Sequence, residues 1–266
     1  MTGTRPDDIW ERGNAYEQYV GRWSRRIAPP FLSWLAAPAG LSWLDVGCGT
    51  GALCAAILDQ CAPSAVHGVE PSEGFLQTAA VNIEDRAVLH RGTAENLPLP
   101  AASVDVVVSG LVLNFVPNPS AALAEMMRVA RSGGTVGAYV WDYADGMELM
   151  RYFWDAAVEL DPDDADLDEA IRFPLCHPEA LLTQFTRAAL IEPEVRAIDI
   201  PTRFANFDDY WRPFLGGQGA APAYVMSLDE PARARLRDSI RDRLPSQPDG
   251  SIDLMARAWA IRASVL

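Results

Sequence analysis

From residue 41 to about residue 141, short apolar runs alternate with stretches whose apolar positions recur every three or four residues. The first pattern suits strands covered on both faces and the second suits helices lying on a sheet, so the alternation predicts strand-helix repeats and a parallel sheet. Strands are predicted at Ser42 to Val46, Ala65 to Val69, Ala87 to His90, Val104 to Ser109 and Thr135 to Trp141, five parallel strands in sequence order. Helices are predicted over Ala52 to Cys61, Ser72 to Asn82 and Ala121 to Ala130, the last stopped by Ser132-Gly133-Gly134 before a new strand.

The flanks follow other patterns. Asn14 to Arg26 is a candidate amphipathic helix, with Tyr16, Tyr19 and Trp23 at helical spacing, broken by Pro29-Pro30 and resumed through Leu35. Beyond the repeats, helices are expected at Met147 to Leu160, Pro178 to Leu190 and Glu230 to Leu244, and strands at Val195 to Ile200 and Leu254 to Ala263. This divides the chain into a helical cap, 1–38, and a core, 39–266, carrying helical inserts at about 143–177 and 204–250.

Composition narrows the classes. The 266 residues carry 36 acids and 22 basic side chains, all arginine, for a net charge of -14. Such a surface does not neutralise phosphates, so neither nucleic acid nor membrane is expected as a partner. Eleven acids and one arginine fall between Asp142 and Glu169, a run read as a solvated face. The four cysteines form no CxxC pair and no Cys/His ligand spacing, so no metal is expected. A polar N-terminus, and no apolar run of about 18 residues, point to a cytoplasmic protein, monomer or homodimer.

The chemistry concentrates in Leu44-Asp45-Val46-Gly47-Cys48-Gly49-Thr50-Gly51-Ala52, a strand ending in a glycine turn that opens a helix. The glycines let the backbone bend sharply and approach a ligand, while the helix start offers free amides. Nineteen residues beyond Gly51, at the end of the next strand, Glu70 stands where a carboxylate accepts hydrogen bonds from a ribose diol. The glycines alone also satisfy a dinucleotide fingerprint. Asp45 separates the two readings, because a carboxylate beside the turn repels a pyrophosphate and suits a cationic ligand such as S-adenosylmethionine (SAM).

At this point the chain resembles the class I SAM-dependent methyltransferases, in particular small-molecule enzymes related to the quinone-biosynthesis C-methyltransferases. The resemblance rests on the block ending at Gly51, on Gly68-Val-Glu-Pro-Ser72, Gly92-Thr-Ala-Glu-Asn-Leu-Pro98, Ser103-Val-Asp-Val-Val-Val-Ser109 and Arg128-Val-Ala-Arg-Ser-Gly-Gly134. It implies an α/β, Rossmann-like fold with a seven-stranded mostly parallel sheet, helices on both faces and helical lid inserts. It also implies a cofactor site of Asp45, Gly47, Cys48, Gly49 and Gly51, with Glu70 on the ribose and Pro71, Ser72, Thr93, Ala94 and Glu95 around the adenine. Thr93 departs from the aspartate common at that position. Ser109, Leu111 and Asn114 would follow the fourth strand beside the methyl donor, and Tyr19 and Arg22 would close over it.

Methyl transfer from a sulfonium is an in-line displacement in which alignment and desolvation can suffice. A base is needed only if the acceptor loses a proton, and Asp142, Tyr143, His177 and Asp209 are the candidates, with Asp145 beside them. Tyr16, Tyr143, Trp154, Tyr210 and Trp211 are expected to line the pocket of a small-molecule acceptor, although such aromatics equally suit a core. His67 and His90 read as packing or edge residues. Two other readings stay open: an NAD(P)-dependent oxidoreductase, for which no Tyr/Lys pair exists, and a non-catalytic SAM-binding protein on the same fold.

Overall fold

The computed structural model of the chain describes residues 21–216 and 219–266. In chain order its main elements are α1 (Arg22–Leu35), β1 (Ser42–Val46), α2 (Ala52–Gln60), β2 (Ala65–Glu70), α3 (Glu73–Ile83), β3 (Val88–Arg91), β4 (Val104–Gly110), α4 (Pro119–Val129) and β5 (Ala130–Trp141). These are followed by α5 (Glu148–Leu160), α6 (Pro178–Arg187), β6 (Ile191–Phe204), α7 (Ala220–Ser227), α8 (Glu230–Arg243) and β7 (Ile252–Ser264). Shorter helical turns lie at Pro162–Leu167, Glu169–Arg172, Phe207–Trp211 and Arg212–Gly216.

The seven strands form one sheet in the spatial order β3-β2-β1-β4-β5-β7-β6. Strands β1 to β5 are parallel, and β7 runs antiparallel to both β5 and β6. The predicted seven-stranded, mostly parallel class therefore holds, but the strands do not lie in sequence order. The chain winds outward from β1 through β2 to β3, then returns to place β4 on the other side of β1. That reversal opens a crevice at the carboxyl ends of β1 and β4, where open parallel sheets bind ligands. In β1 and β4 nearly every residue is buried, because strands covered on both faces read as continuous apolar runs.

Three details differ from the sequence reading. Pro29 and Pro30 sit inside α1 without breaking it. Trp23, Ile27, Phe31 and Leu35 form one buried stripe at helical spacing, and burying it outweighs the cost of two missing amides. Second, β5 begins at Ala130, so Ser132-Gly133-Gly134 lies within the strand, where the pairing jumps from Val104↔Ala130 to Val106↔Thr135. A Cβ on Gly134 would meet the carbonyl oxygens of Arg131 and Asp105 at 2.7 and 2.8 Å, so this bulge requires glycine. Third, the acidic run is not wholly a solvated face, since Asp142, Asp168 and Glu169 are buried.

The expected N-terminal helix from Asn14 falls mostly outside the described residues, as do Tyr16 and Tyr19. The two histidines occupy neighbouring positions on β2 and β3, their rings stacked, with His67 Nδ1 3.2 Å from His90 Nε2. Among the described residues no helix is long and apolar enough to cross a membrane.

Candidate functional site

The turn after β1 is fixed from behind. The amides of Gly47 and Cys48 both donate to the Val69 carbonyl, at 2.8 and 3.0 Å, which ties the turn to the end of β2. Gly47 has φ +74°, and a Cβ there would sit 2.5 Å from Val112 Cγ1. Gly49 has φ +53° with nothing within 4 Å of a Cβ position, so its bare face opens into free space. Gly51 forms the N-cap of α2.

Glu70 ends β2 and points back at this turn. Its Oε2 accepts from the Gly49 amide at 3.1 Å and its Oε1 from the Ser72 amide at 3.0 Å. Burial raises the carboxyl above the ordinary range, and the two amides pull the other way. Behind the turn Asp45 is almost fully buried, with Oδ2 accepting from the Cys54 thiol at 3.3 Å and Oδ1 having no partner among the described residues. Burial pushes its carboxyl up to about 7, with Glu70 adding in the same direction. A buried, half-satisfied carboxyl beside a cavity is an arrangement that a cationic ligand group would complete.

A cavity of about 510 Å³ starts at this turn. Asp45, Gly47, Cys48 and Gly49, then Glu70, Pro71 and Ser72, then Thr93, Ala94 and Glu95 line one part of it. The rest is walled by Leu111, Val112, Phe115, Tyr139, Trp141, Tyr143, Met150, Glu169, Phe173 and Ala220, with Ser24 reaching in from α1. Phe173 packs edge-on against Phe115, centroids 4.9 Å apart, and lies 5.6 Å from Tyr143. Leu111 holds a left-handed φ of 63°, secured by the hydrogen bond its amide N–H donates to the Tyr139 carbonyl at 2.7 Å.

Several expected site residues lie elsewhere. Gly51, Ser109 and Asn114 do not line this cavity: Ser109 Oγ donates to the Val46 carbonyl at 2.9 Å, and Asn114 Nδ2 is buried without a partner among the described residues. Arg22 and Asp209 are spent on each other in a 2.9 Å ion pair, with the Arg22 guanidinium stacked between Trp23 and Phe204. The pair joins α1 to the turn Phe207–Trp211 and lies outside the cavity lining.

Trp154, Tyr210 and Trp211 belong to a packed layer instead of the wall. Phe153 contacts Trp154, Phe214 and Tyr224, while Tyr210 contacts Phe204 and Phe214 and donates from Oη to the Leu149 carbonyl at 2.7 Å. Trp211 packs on Phe207 and Phe214. Of the candidate bases only Tyr143 lines the cavity. Asp142 is buried and caps the next turn through the Asp145 amide at 3.1 Å, and His177 is the N-cap residue of α6 without a side-chain capping bond.

The wall also contains residues the sequence did not single out, notably Ser24, Met150, Glu169 and Phe173. Glu169 is hidden in the acidic run, and its only signal is the apolar company of Ala170, Ile171 and Phe173. Its carboxylate accepts from the Trp154 indole N–H.

Residues 44–137 match the family described as a methyltransferase domain. Over 145 residues the chain is 32% identical to an uncharacterised methyltransferase of Mycobacterium tuberculosis (strain ATCC 25618 / H37Rv), covering 54% of this chain and 57% of that protein. Over 102 residues it is 35% identical to a demethylmenaquinone methyltransferase of Anoxybacillus flavithermus, covering 36% and 43% of the two chains. The chain thus spans about half the length of these curated relatives. In fold it is similar to a crystal structure from Bacillus halodurans C-125 assigned to the methyltransferases, with TM-score 0.59 at 15% identity over 89% of this chain and 97% of that one.

Proposed function

We propose, on the premise that residues 44–137 of this chain are a class I methyltransferase domain, that the protein binds SAM and transfers its methyl group to a small organic acceptor in the cytoplasm. The observation that carries this is one cavity shared by the glycine turn, Glu70 and the Thr93 to Glu95 segment at one end and the aromatic wall at the other. The residues fit the cofactor. The bare face of Gly49 leaves room for the methionine part, and the unpartnered Asp45 Oδ1 meets the need of a cationic group. Glu70 is already oriented by two amides, with lone pairs left for a diol.

When bound, the sulfonium supplies an activated methyl group. The protein's part is to hold and exclude. Leu111 and Val112 on the β4 side, and Tyr143 and Phe173 from the insert, enclose the space beside the turn in apolar surface, which keeps water from an in-line displacement. The segment 1–38 and the inserts at about 143–177 and 204–250 serve as the acceptor-binding part, a reading supported by Ser24, Tyr143, Met150, Phe173 and Ala220 on the wall.

Calorimetry with S-adenosylhomocysteine, SAM and NAD tests the cofactor, and transfer of isotope-labelled methyl into an acceptor extract tests the reaction. Glu70→Ala is expected to weaken SAM by about tenfold or more, the scale of a lost charge-assisted hydrogen bond to the ribose. Unchanged SAM affinity in that variant, or tight NAD binding in the parent, would overturn the reading.

A further inference from the structure

The glycine turn has an outer side as well as the side that faces the cofactor cavity. Thr50 and Ala52 line that cavity and also a second one, of about 370 Å³, behind the turn. The second cavity is bounded by Arg25 and Pro29 of α1, Asp59 of α2 and Asn82 of α3. Thr50 thus stands between the two, and whatever grips it from behind decides what the turn presents in front.

The grip comes from α3. Asn82, in the last turn of that helix, donates from Nδ2 to the Thr50 carbonyl at 2.8 Å. The Gly51 amide, the other polar end of the same peptide group, donates to the Cys48 carbonyl at 2.8 Å. A peptide group is planar, so holding both ends fixes its orientation. Gly51 also has no room to retreat toward α3, since a Cβ there would lie 3.1 Å from Ile83 Cγ2 and 3.3 Å from Ala79 Cβ, two fully buried side chains. Gly51 caps α2 with φ +88°, so the peptide before it sets where the unpaired first amides of that helix point.

The other end of α3 is tied to the same site. Ser72 caps the helix, its Oγ accepting from the Phe75 amide at 3.4 Å, and the Ser72 amide donates to Glu70 at 3.0 Å. The eleven residues of α3, about 16 Å of helix, therefore link the carboxylate assigned to the ribose with the turn assigned to the amino-acid part of the cofactor. Asn82 does not line the cofactor cavity and acts on it through the Thr50 carbonyl. Without the Asn82 amide that carbonyl is free to rotate toward the cavity, where it would set an acceptor among the donors of the turn.

We propose that Asn82 is a positioning residue for the cofactor: by keeping the Thr50 carbonyl on the outer side, it makes the turn favour a nucleoside that carries the amino-acid part over the same nucleoside without it. The inference rests on the SAM reading and adds a residue, remote from the ligand, that sets how one end of it is held.

The test is calorimetry on the full chain with S-adenosylhomocysteine and 5′-methylthioadenosine, which share adenine, ribose and sulfur, while only the first carries the amino-acid part. The parent is expected to bind S-adenosylhomocysteine more tightly. Asn82→Ala should weaken S-adenosylhomocysteine about fivefold, the scale of one hydrogen bond between neutral groups, and leave 5′-methylthioadenosine within about twofold. Asn82 is exposed and alanine is the better helix former, so the thermal midpoint of the free protein should move by no more than about 3 °C. Asn82→Asp keeps the shape but turns a carboxylate on the Thr50 carbonyl, and should weaken S-adenosylhomocysteine at least as much. Glu70→Ala, which acts on the shared ribose, should weaken both ligands.

Both ligands weakened by the same factor in Asn82→Ala would reduce the residue to general support of the fold and overturn the assignment. So would S-adenosylhomocysteine affinity unchanged in both Asn82 variants, a result that leaves the SAM reading standing. A parent that binds neither ligand would sink the SAM reading and the assignment with it.

Discussion

Gly47 and Gly49 stand two residues apart in one turn, and they should fail differently when substituted. At Gly47 a methyl meets Val112 at 2.5 Å on a left-handed backbone, so Gly47→Ala should cost about 2–4 kcal/mol of stability, read as a lower thermal midpoint. At Gly49 a methyl enters open space and only the left-handed backbone, φ +53°, resists it, so Gly49→Ala should cost about 1 kcal/mol, less than Gly47→Ala, yet bind S-adenosylhomocysteine more weakly. Equal loss of stability in both would contradict this division. The turn was legible because every residue that shapes it is local in sequence. Glu169 was not, since its burial depends on Trp154 and on the cavity, which no local pattern reports. Trp154, Tyr210 and Trp211 were misplaced for a related reason: an aromatic at helical spacing declares a buried face but not whether a ring or a void lies opposite.

At the level of elements, the strands were read well wherever both faces are covered, and less well where pairing partners decide. The span of β1 is as expected, whereas β5 starts five residues early because β4 supplies a partner for Ala130 before the bulge. The Pro29-Pro30 pair misled because helix propensity is a local preference and the stripe from Trp23 to Leu35 is a tertiary one. One helix also holds a loop by its side chain: Arg128 of α4 donates to the carbonyls of Leu97 and Leu99, at 3.0 and 2.9 Å, while Glu125 accepts from the Leu97 amide at 2.9 Å. These bonds brace the segment after Thr93 to Glu95. Arg128→Ala should therefore cost about 1–3 kcal/mol in stability and weaken SAM through a faster off-rate. Unchanged dissociation kinetics in stopped-flow fluorescence would show that the brace does not reach the site.

For the whole molecule, acids held neutral by burial tie stability to pH. The carboxyls of Asp45 and Glu169 are raised to about 7 and about 8, so the unfolded chain releases protons that the folded chain keeps. Between the ordinary carboxyl range and these values the unfolded state binds fewer protons, and unfolding free energy falls as pH rises, by about 1.4 kcal/mol per pH unit for each group. Asp105 acts oppositely, held at about 2 by the Ser42 amide and hydroxyl and by Arg131, but its stabilisation is lost only as pH drops below the ordinary range. Denaturant melts are thus expected to show greater stability at pH 5 than at pH 8, and the combined Asp45→Asn and Glu169→Gln variant should flatten that slope. A stability that rises over the same interval would contradict the burial assigned to these two acids.

The described cavity wall draws on parts of the chain far apart: Ser24 before the first strand, Tyr143 to Phe173 after the fifth, and Ala220 after the sixth. The family match ends at residue 137, just before most of these begin. Inheritance can consequently treat the two halves of the cavity separately. The turn-bearing half is constrained as a block, while the other half can be rewritten one insert at a time, so relatives that keep the first should diverge fastest in what they accept.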